Sequence, residues 1–324
     1  MPQTILWMDS WPDEAAHTPL LRQRWRDALV QAMPEAEWHW QWPDDEAVLR
    51  RVQVVVAANP PSGRWQQLPS LALVQSVWAG VERLLADDTL PAHVRLARMV
   101  DPRMSLAMGE TATWAVLSLH RHFFDLAAQQ AAGQWQVPLQ SPASEFRVGL
   151  LGYGELGRQV ARPLQALGYP VSAWTRTPRD TAEVDGITLR HGPEGLRQMR
   201  REAQVLVNLL PLTADTRGLL AAPLWSDGPE GIHLVNLARG AHVVDADLLA
   251  ALDTGQVGRA VLDVFHAEPL PAGHPFWHHP RVTVLPHCAA QTDPVTAAQV
   301  VARNLRTFQA QGLLDYEVAR QRGY

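Results

Sequence analysis

At 324 residues the chain exceeds what one hydrophobic core usually supports, so two domains of roughly 150 residues each are expected, and its 47% apolar and 19% charged residues exclude a disordered or collagen-like chain. All 28 basic residues are arginine, which excludes a Schiff-base lysine, a pyridoxal phosphate anchor and a Walker A phosphate loop. A formal net charge of −5 with no basic run argues against nucleic acid as a partner.

In chain order, MPQTILWMDSWPDE lacks the basic start of a signal peptide and meets Asp9 early, so it reads as a strand. LLRQRWRDALVQAM then has helical period, VQVVVAA and LALVQS read as strands, and the turn VWAG follows. Alternation of this kind predicts a parallel sheet flanked by helices, with ligand loops at strand ends marked by Gly80, Pro60 and Pro61. The first unit ends near Asp101-Pro102, and residues 104 to about 134 read as one long helix that buries more than one face. Trp38, Trp40 and Trp42 alternate as a half-buried strand would place them. No apolar stretch reaches the roughly 18 residues of a membrane span, and a cytoplasmic protein is the default expectation.

FRVGLLGYGELGRQVARPLQALGYPVSAWT has the grammar of strand, tight turn, helix, glycine stop and strand. Gly152 permits the turn, Gly154 lets a pyrophosphate approach the backbone, and Gly157 lets helix and strand pack closely; Glu155 and Leu156 open the helix whose amides face the phosphates. At the end of the next strand stand Thr175, Arg176, Thr177 and Arg179, with no carboxylate to accept from the ribose hydroxyls of NAD. The arginines offer a charged fork to a phosphate, so NADPH is preferred and NADH remains usable. Further strands are read in VLVNLL, IHLVNLA, RAVLDVF and VTVLP, with a helix from Asp245 to Gly255 and a last one from Pro294 to Gly312, capped by Thr292 and Asp293.

A nicotinamide cofactor needs a clamp for the substrate and a proton donor. Arg239, Glu268 and His287 all fall at or just beyond carboxyl ends of predicted strands. Arg239 can grip a carboxylate bidentately, His287 can protonate a carbonyl oxygen, and Glu268 can hold the imidazolium form. The histidines of HPFWHHP, with His266 upstream, lack metal-ligand spacing, so no metal is expected; the tryptophan in that loop is expected to pack. The single Cys288 fits a reducing compartment.

The segments LLGYGELG, NLLPLTADTRGLL, NLARGAHVVDADLLAALDTGQV, LDVFHAEPLP and HPRVTVLPHCAAQT resemble the D-2-hydroxyacid dehydrogenase family. The MGE before the long helix and the terminal VARQRGY resemble its glyoxylate/hydroxypyruvate reductase A branch. The resemblance implies an α/β protein of two Rossmann-like or flavodoxin-like domains with parallel sheets and a cleft between them. Residues 1–103 and 290–324 would form a discontinuous substrate-binding domain, and residues 104–289 the dinucleotide-binding domain with the long dimerisation helix of a homodimer. Hinges would lie near residues 103 and 289. It also implies that Arg239, Glu268 and His287 are catalytic, that the backbone of Ala79, Gly80 and Val81 holds the substrate carboxylate, that Asp263 meets the nicotinamide carboxamide, and that Leu210, Pro211 and Ala238 line the cofactor. Trp78, Cys288 and Gln291 depart from the commoner pattern at positions that bear on substrate size and pocket polarity. The expected activity is NADPH-dependent reduction of small 2-keto acids, glyoxylate to glycolate and hydroxypyruvate to D-glycerate. The alternative, a non-catalytic dinucleotide-sensing regulator of corepressor type, needs only the nucleotide site and usually an added tail; this sequence ends about 12 residues beyond Gly312.

Overall fold

The structure, a computed structural model, describes residues 3–12, 17–176, 178 and 181–321. It divides into two compact units, Met1–Met104 with Thr292–Tyr324, and Ser105–Gln291. In the first unit, β1 (Thr4–Asp9), α1 (Thr18–Ala32), β2 (Glu37–His39), α2 (Glu46–Leu49), β3 (Val54–Ala58), β4 (Leu73–Ser76), α3 (Glu82–Leu85) and β5 (Arg95–Ala97) follow one another. The strands form one parallel sheet in the order β2-β1-β3-β4-β5, the flavodoxin-like winding. Ile5, Val54 and Val56 lie fully buried on the face packed against Trp25, Leu29 and the small residues Ala297, Ala298 and Val301. β3 is buried along its whole length, as VVVAA with both sheet faces covered should be.

The second unit takes in most of α4 (Pro102–His120), then α5 (Phe123–Ala131), β6 (Val148–Leu151), α6 (Glu155–Ala166), β7 (Val171–Thr175), β8 (Glu183–Val184), β9 (Ile187–His191), α7 (Gly192–Glu202), β10 (Val205–Asn208), α8 (Ala222–Trp225), β11 (Ile232–Asn236), α9 (Asp245–Thr254), β12 (Val257–Leu262) and β13 (Val282–Val284). Its sheet runs β13-β12-β11-β10-β6-β7-β9-β8, parallel except for the β8–β9 pair. The winding reverses between β6 and β10, so the loop after β6 opens at the switch point where such sheets bind ligands. The last helix, α10 (Pro294–Gln311), belongs to the first unit and is capped by the Asp293 carboxylate, which accepts from the amides of Val295 and Thr296. Buried Asp101 accepts from the amides of Met104 and Asp293, tying together the two chain segments where the first unit ends and resumes.

Three readings of the sequence need correction. The long helix is not continuous: His120 is buried against the Tyr169 hydroxyl (2.8 Å) and the Ser141 carbonyl (3.0 Å), His122 takes a left-handed conformation (φ 59°), and α5 starts afresh with Asp125 paired to Arg259. In HPFWHHP it is Phe276 that packs, at 1% exposure, whereas Trp277 is 45% exposed. The alternating tryptophans are half-buried as expected, but strand geometry there is confined to Glu37–His39 and includes only Trp38, which stacks on Trp40 with ring centroids 5.2 Å apart. Among the described residues no helix is long and apolar enough to cross a membrane, and no group of three or more His, Cys, Asp or Glu could hold a metal ion.

Candidate active site

Arg239, Glu268 and His287 follow β11, β12 and β13, three adjacent strands of one parallel sheet, and so emerge at one edge. His287 Nδ1 lies 2.6 Å from Glu268 Oε2, and the other carboxylate oxygen of Glu268 accepts from the Phe265 amide at 2.9 Å. The His287 amide donates to the Asp263 carbonyl at 2.9 Å, and His287 itself is left-handed (φ 52°), which turns its ring out of the chain's path. The hydrogen bond that His287 donates to Glu268 raises the His287 pKa above its ordinary value, against the opposing effects of burial and the Arg239 charge. Burial works to raise Glu268, but the imidazole and the Phe265 amide outweigh it and hold the carboxyl below its usual range. Arg239 acts electrostatically on both partners, so the three groups form one coupled set. Its Nη1 donates to the Ala238 carbonyl at 2.7 Å.

The supports of this set were not legible as functional residues. Gly240 follows Arg239 with the Phe265 backbone laid against it: a Cβ there would stand 2.0 Å from the Phe265 carbonyl carbon, so only glycine allows the Arg239 loop and the Glu268 loop to meet. Asn208 and Asn236, both fully buried, join side chain to side chain at 2.9 Å; Asn208 accepts from the Leu210 amide and Asn236 from the Ala238 amide. The pair therefore fixes the loops after β10 and β11 relative to each other. The repeated asparagines of VNLLP and VNLAR at equivalent strand ends were the available signal. Asp263, 2% exposed, accepts from the amides of Cys288 and Ala289; burial raises its pKa in spite of those bonds.

The loop after β6 fits a dinucleotide phosphate. Gly152 is left-handed (φ 101°), a Cβ on Gly157 would stand 2.4 Å from the Gly152 carbonyl oxygen, and nothing lies within 4 Å of where a Cβ on Gly154 would be. The backbone turn is thus tight on its inner side and open at Gly154, ahead of α6, whose first turn contains Glu155 and Leu156. Leu210 and Ala238 are buried, and Pro211 is exposed. Thr175 closes β7; Arg176 just beyond it is paired with Asp215 at 3.3 Å. Thr177 and Arg179 lie outside the described residues. In the first unit, Ala79, Gly80 and Val81 form the turn between β4 and α3, at the carboxyl edge of that sheet.

The family model for the D-isomer specific 2-hydroxyacid dehydrogenase NAD binding domain matches residues 113–289. The chain is 38% identical over 294 residues to a glyoxylate/hydroxypyruvate reductase A of Serratia proteamaculans, covering 89% of this chain and 92% of that protein. A D-isomer specific 2-hydroxyacid dehydrogenase from Xanthobacter autotrophicus, solved in complex with NADPH and MES, superposes with a TM-score of 0.90 at 33% identity over 100% of both chains. An NADPH-dependent glyoxylate/hydroxypyruvate reductase from Sinorhizobium meliloti, solved with NADP and sulfate, does so with a TM-score of 0.88 at 30% identity over 99% of this chain and 100% of that one.

Proposed function

The chain belongs to the D-isomer specific 2-hydroxyacid dehydrogenase family, an oxidoreductase family, and from that premise we propose that it reduces small 2-keto acids such as glyoxylate and hydroxypyruvate with NADPH. The observation that carries the reading is the coupled set of Arg239, Glu268 and His287. When bound, the dinucleotide supplies the hydride. Arg239 grips the substrate carboxylate and draws electron density from the ketone. His287, whose protonated form Glu268 favours, hydrogen-bonds the carbonyl oxygen and gives it the proton as the alcohol forms. Asp263, by taking the amides of Cys288 and Ala289, fixes the backbone beside that imidazole, and it is the residue that would meet the nicotinamide carboxamide. A sensing regulator would have no use for a histidine poised by a carboxylate, so the enzyme reading is preferred.

The unit Ser105–Gln291 would hold the dinucleotide, the loop around Gly154 taking the pyrophosphate and Arg176 the 2′-phosphate, with Thr175, Leu210, Pro211 and Ala238 along the cofactor. In the unit made of both chain ends, the backbone amides of residues 79–81, in the turn between β4 and α3, would hold the substrate carboxylate. A homodimer is supported by apolar side chains left open on α4 and just beyond it, Leu106, Trp114 and Phe123, and by the nearly fully exposed Trp135 and Leu139. A panel of 2-keto acids assayed with NADPH and NADH, with the configuration of the product determined, tests the reading. NADPH oxidation yielding D-hydroxy acids is expected; dinucleotide binding without turnover on any 2-keto acid would favour the sensor.

A further inference from the structure

At the carboxyl edge of the first unit's sheet, the loops after β1 and β4 carry Trp11 and Trp78. The two rings meet edge to face, with centroids 6.4 Å apart and planes at 68°. Both backbones are pinned. The Trp78 amide donates to Ser76 Oγ at 3.0 Å, and its carbonyl accepts from the Met99 amide at 3.0 Å. The Trp11 amide donates to Asp9 and its carbonyl accepts from Arg22, each at 3.1 Å. Behind Trp11 stands Trp7, and behind that the fully buried Trp25, so the pair rests on packed aromatic core. Trp78 is half-buried with its indole nitrogen inside and, among the described residues, without a hydrogen-bond partner; the part of the ring left open is hydrocarbon.

Trp78 immediately precedes Ala79, Gly80 and Val81, whose amides were assigned above to the substrate carboxylate. In a 2-keto acid the C3 substituent lies only two bonds beyond the carboxylate-bearing carbon, so it falls within reach of the side chain next to those amides. A hydroxyl placed against this wall finds no donor or acceptor from the open ring edge, whereas an apolar or aromatic group gains contact area. We propose that Trp78, backed by Trp11, is a specificity-determining residue that favours 2-keto acids with an apolar or aromatic C3 substituent over hydroxypyruvate. This rests on the reading of the chain as a 2-keto acid reductase.

The test is kcat/KM for phenylpyruvate and for hydroxypyruvate at saturating NADPH, in the wild type and in Trp78→Gly, Trp11→Ala and Trp78→Phe. A general loss of fold or turnover lowers both substrates together, so the ratio isolates the wall. The wild type is expected to favour phenylpyruvate by about tenfold or more, equivalent to about 1.4 kcal/mol. Trp78→Gly and Trp11→Ala should bring the ratio down by about that factor, and Trp78→Phe should keep most of it. A wild-type ratio at or below unity overturns the inference even if no variant folds, as does a ratio unmoved in both truncations, while the reductase reading stands. A wild type that oxidises NADPH with no 2-keto acid overturns that reading and this inference with it.

Discussion

Replacing Gly240 by alanine tests whether the close approach of two loops is what assembles the catalytic set. The new Cβ would lie 2.0 Å from the Phe265 carbonyl carbon, 2.3 Å from its oxygen and 2.5 Å from the His266 amide nitrogen. Carbon atoms in contact sit at about 3.5 Å or more, so one backbone must retreat by roughly 1.5 Å. Neither neighbour is the flexible end of a side chain. The Phe265 amide holds Glu268 Oε1, and Glu268 holds His287, so the retreat is passed directly to the proposed proton donor. A misplacement of about 1 Å costs on the order of a hundredfold in rate, or about 2.7 kcal/mol of transition-state stabilisation. Overpacking of this kind also lowers stability by about 1–3 kcal/mol, a fall of several degrees in Tm that leaves a folded protein. The assay is kcat/KM for glyoxylate with NADPH, alongside thermal melting. A folded Gly240→Ala enzyme within threefold of wild type would refute the reasoning.

Three further outcomes follow from the same geometry. With His287 as the proposed acid, activity should be full below its raised pKa and be lost as pH climbs through it; Glu268→Gln removes the raising charge and should move that loss to lower pH, visible in the kcat/KM profile. Arg176→Ala should weaken NADPH binding by about ten- to a hundredfold while sparing NADH, the range expected for a lost charged hydrogen bond, as read by titration of the free protein with each dinucleotide. His233, beside Phe146 and Arg259, is pushed by burial down to about 4, so it stays neutral in the fold but charges in the unfolded chain. Its contribution is intact above about 6.5 and is lost as pH falls toward about 4, on the order of 3 kcal/mol; denaturant melts of His233→Phe should show a flatter acid limb, and an unchanged limb would place the titration elsewhere.

Legibility in the sequence tracked how local the signal was. The strand-glycine-helix passage around Gly152–Gly157 announces itself because Gly152 and Gly157 answer backbone demands within a few residues, while Gly154 leaves open the space ahead of α6. Arg239, Glu268 and His287 could be picked out because each follows an apolar strand, yet their coupling depends on β11, β12 and β13 lying side by side, a long-range pairing that no window of sequence contains. β5 and β8 give little signal because they are only three and two residues long, and β9 carries just two buried apolar positions, Ile187 and Leu189. The break at His122 was hidden because HRHFF contains neither glycine nor proline; what ends α4 is the burial of His120 against Tyr169, a partner 49 residues away. Gly240 carries no such local mark, and Asn208 and Asn236 only their repeat at equivalent strand ends, for a related reason: they support other residues, and support is defined by three-dimensional neighbours.

The most direct measurement is the rate of NADPH oxidation with glyoxylate by a folded His287→Ala protein. Proton donation by a positioned side chain is worth about 10²–10⁴-fold. A loss in that range in kcat, with NADPH binding retained, is what the coupled set predicts; turnover close to the wild-type rate would contradict it.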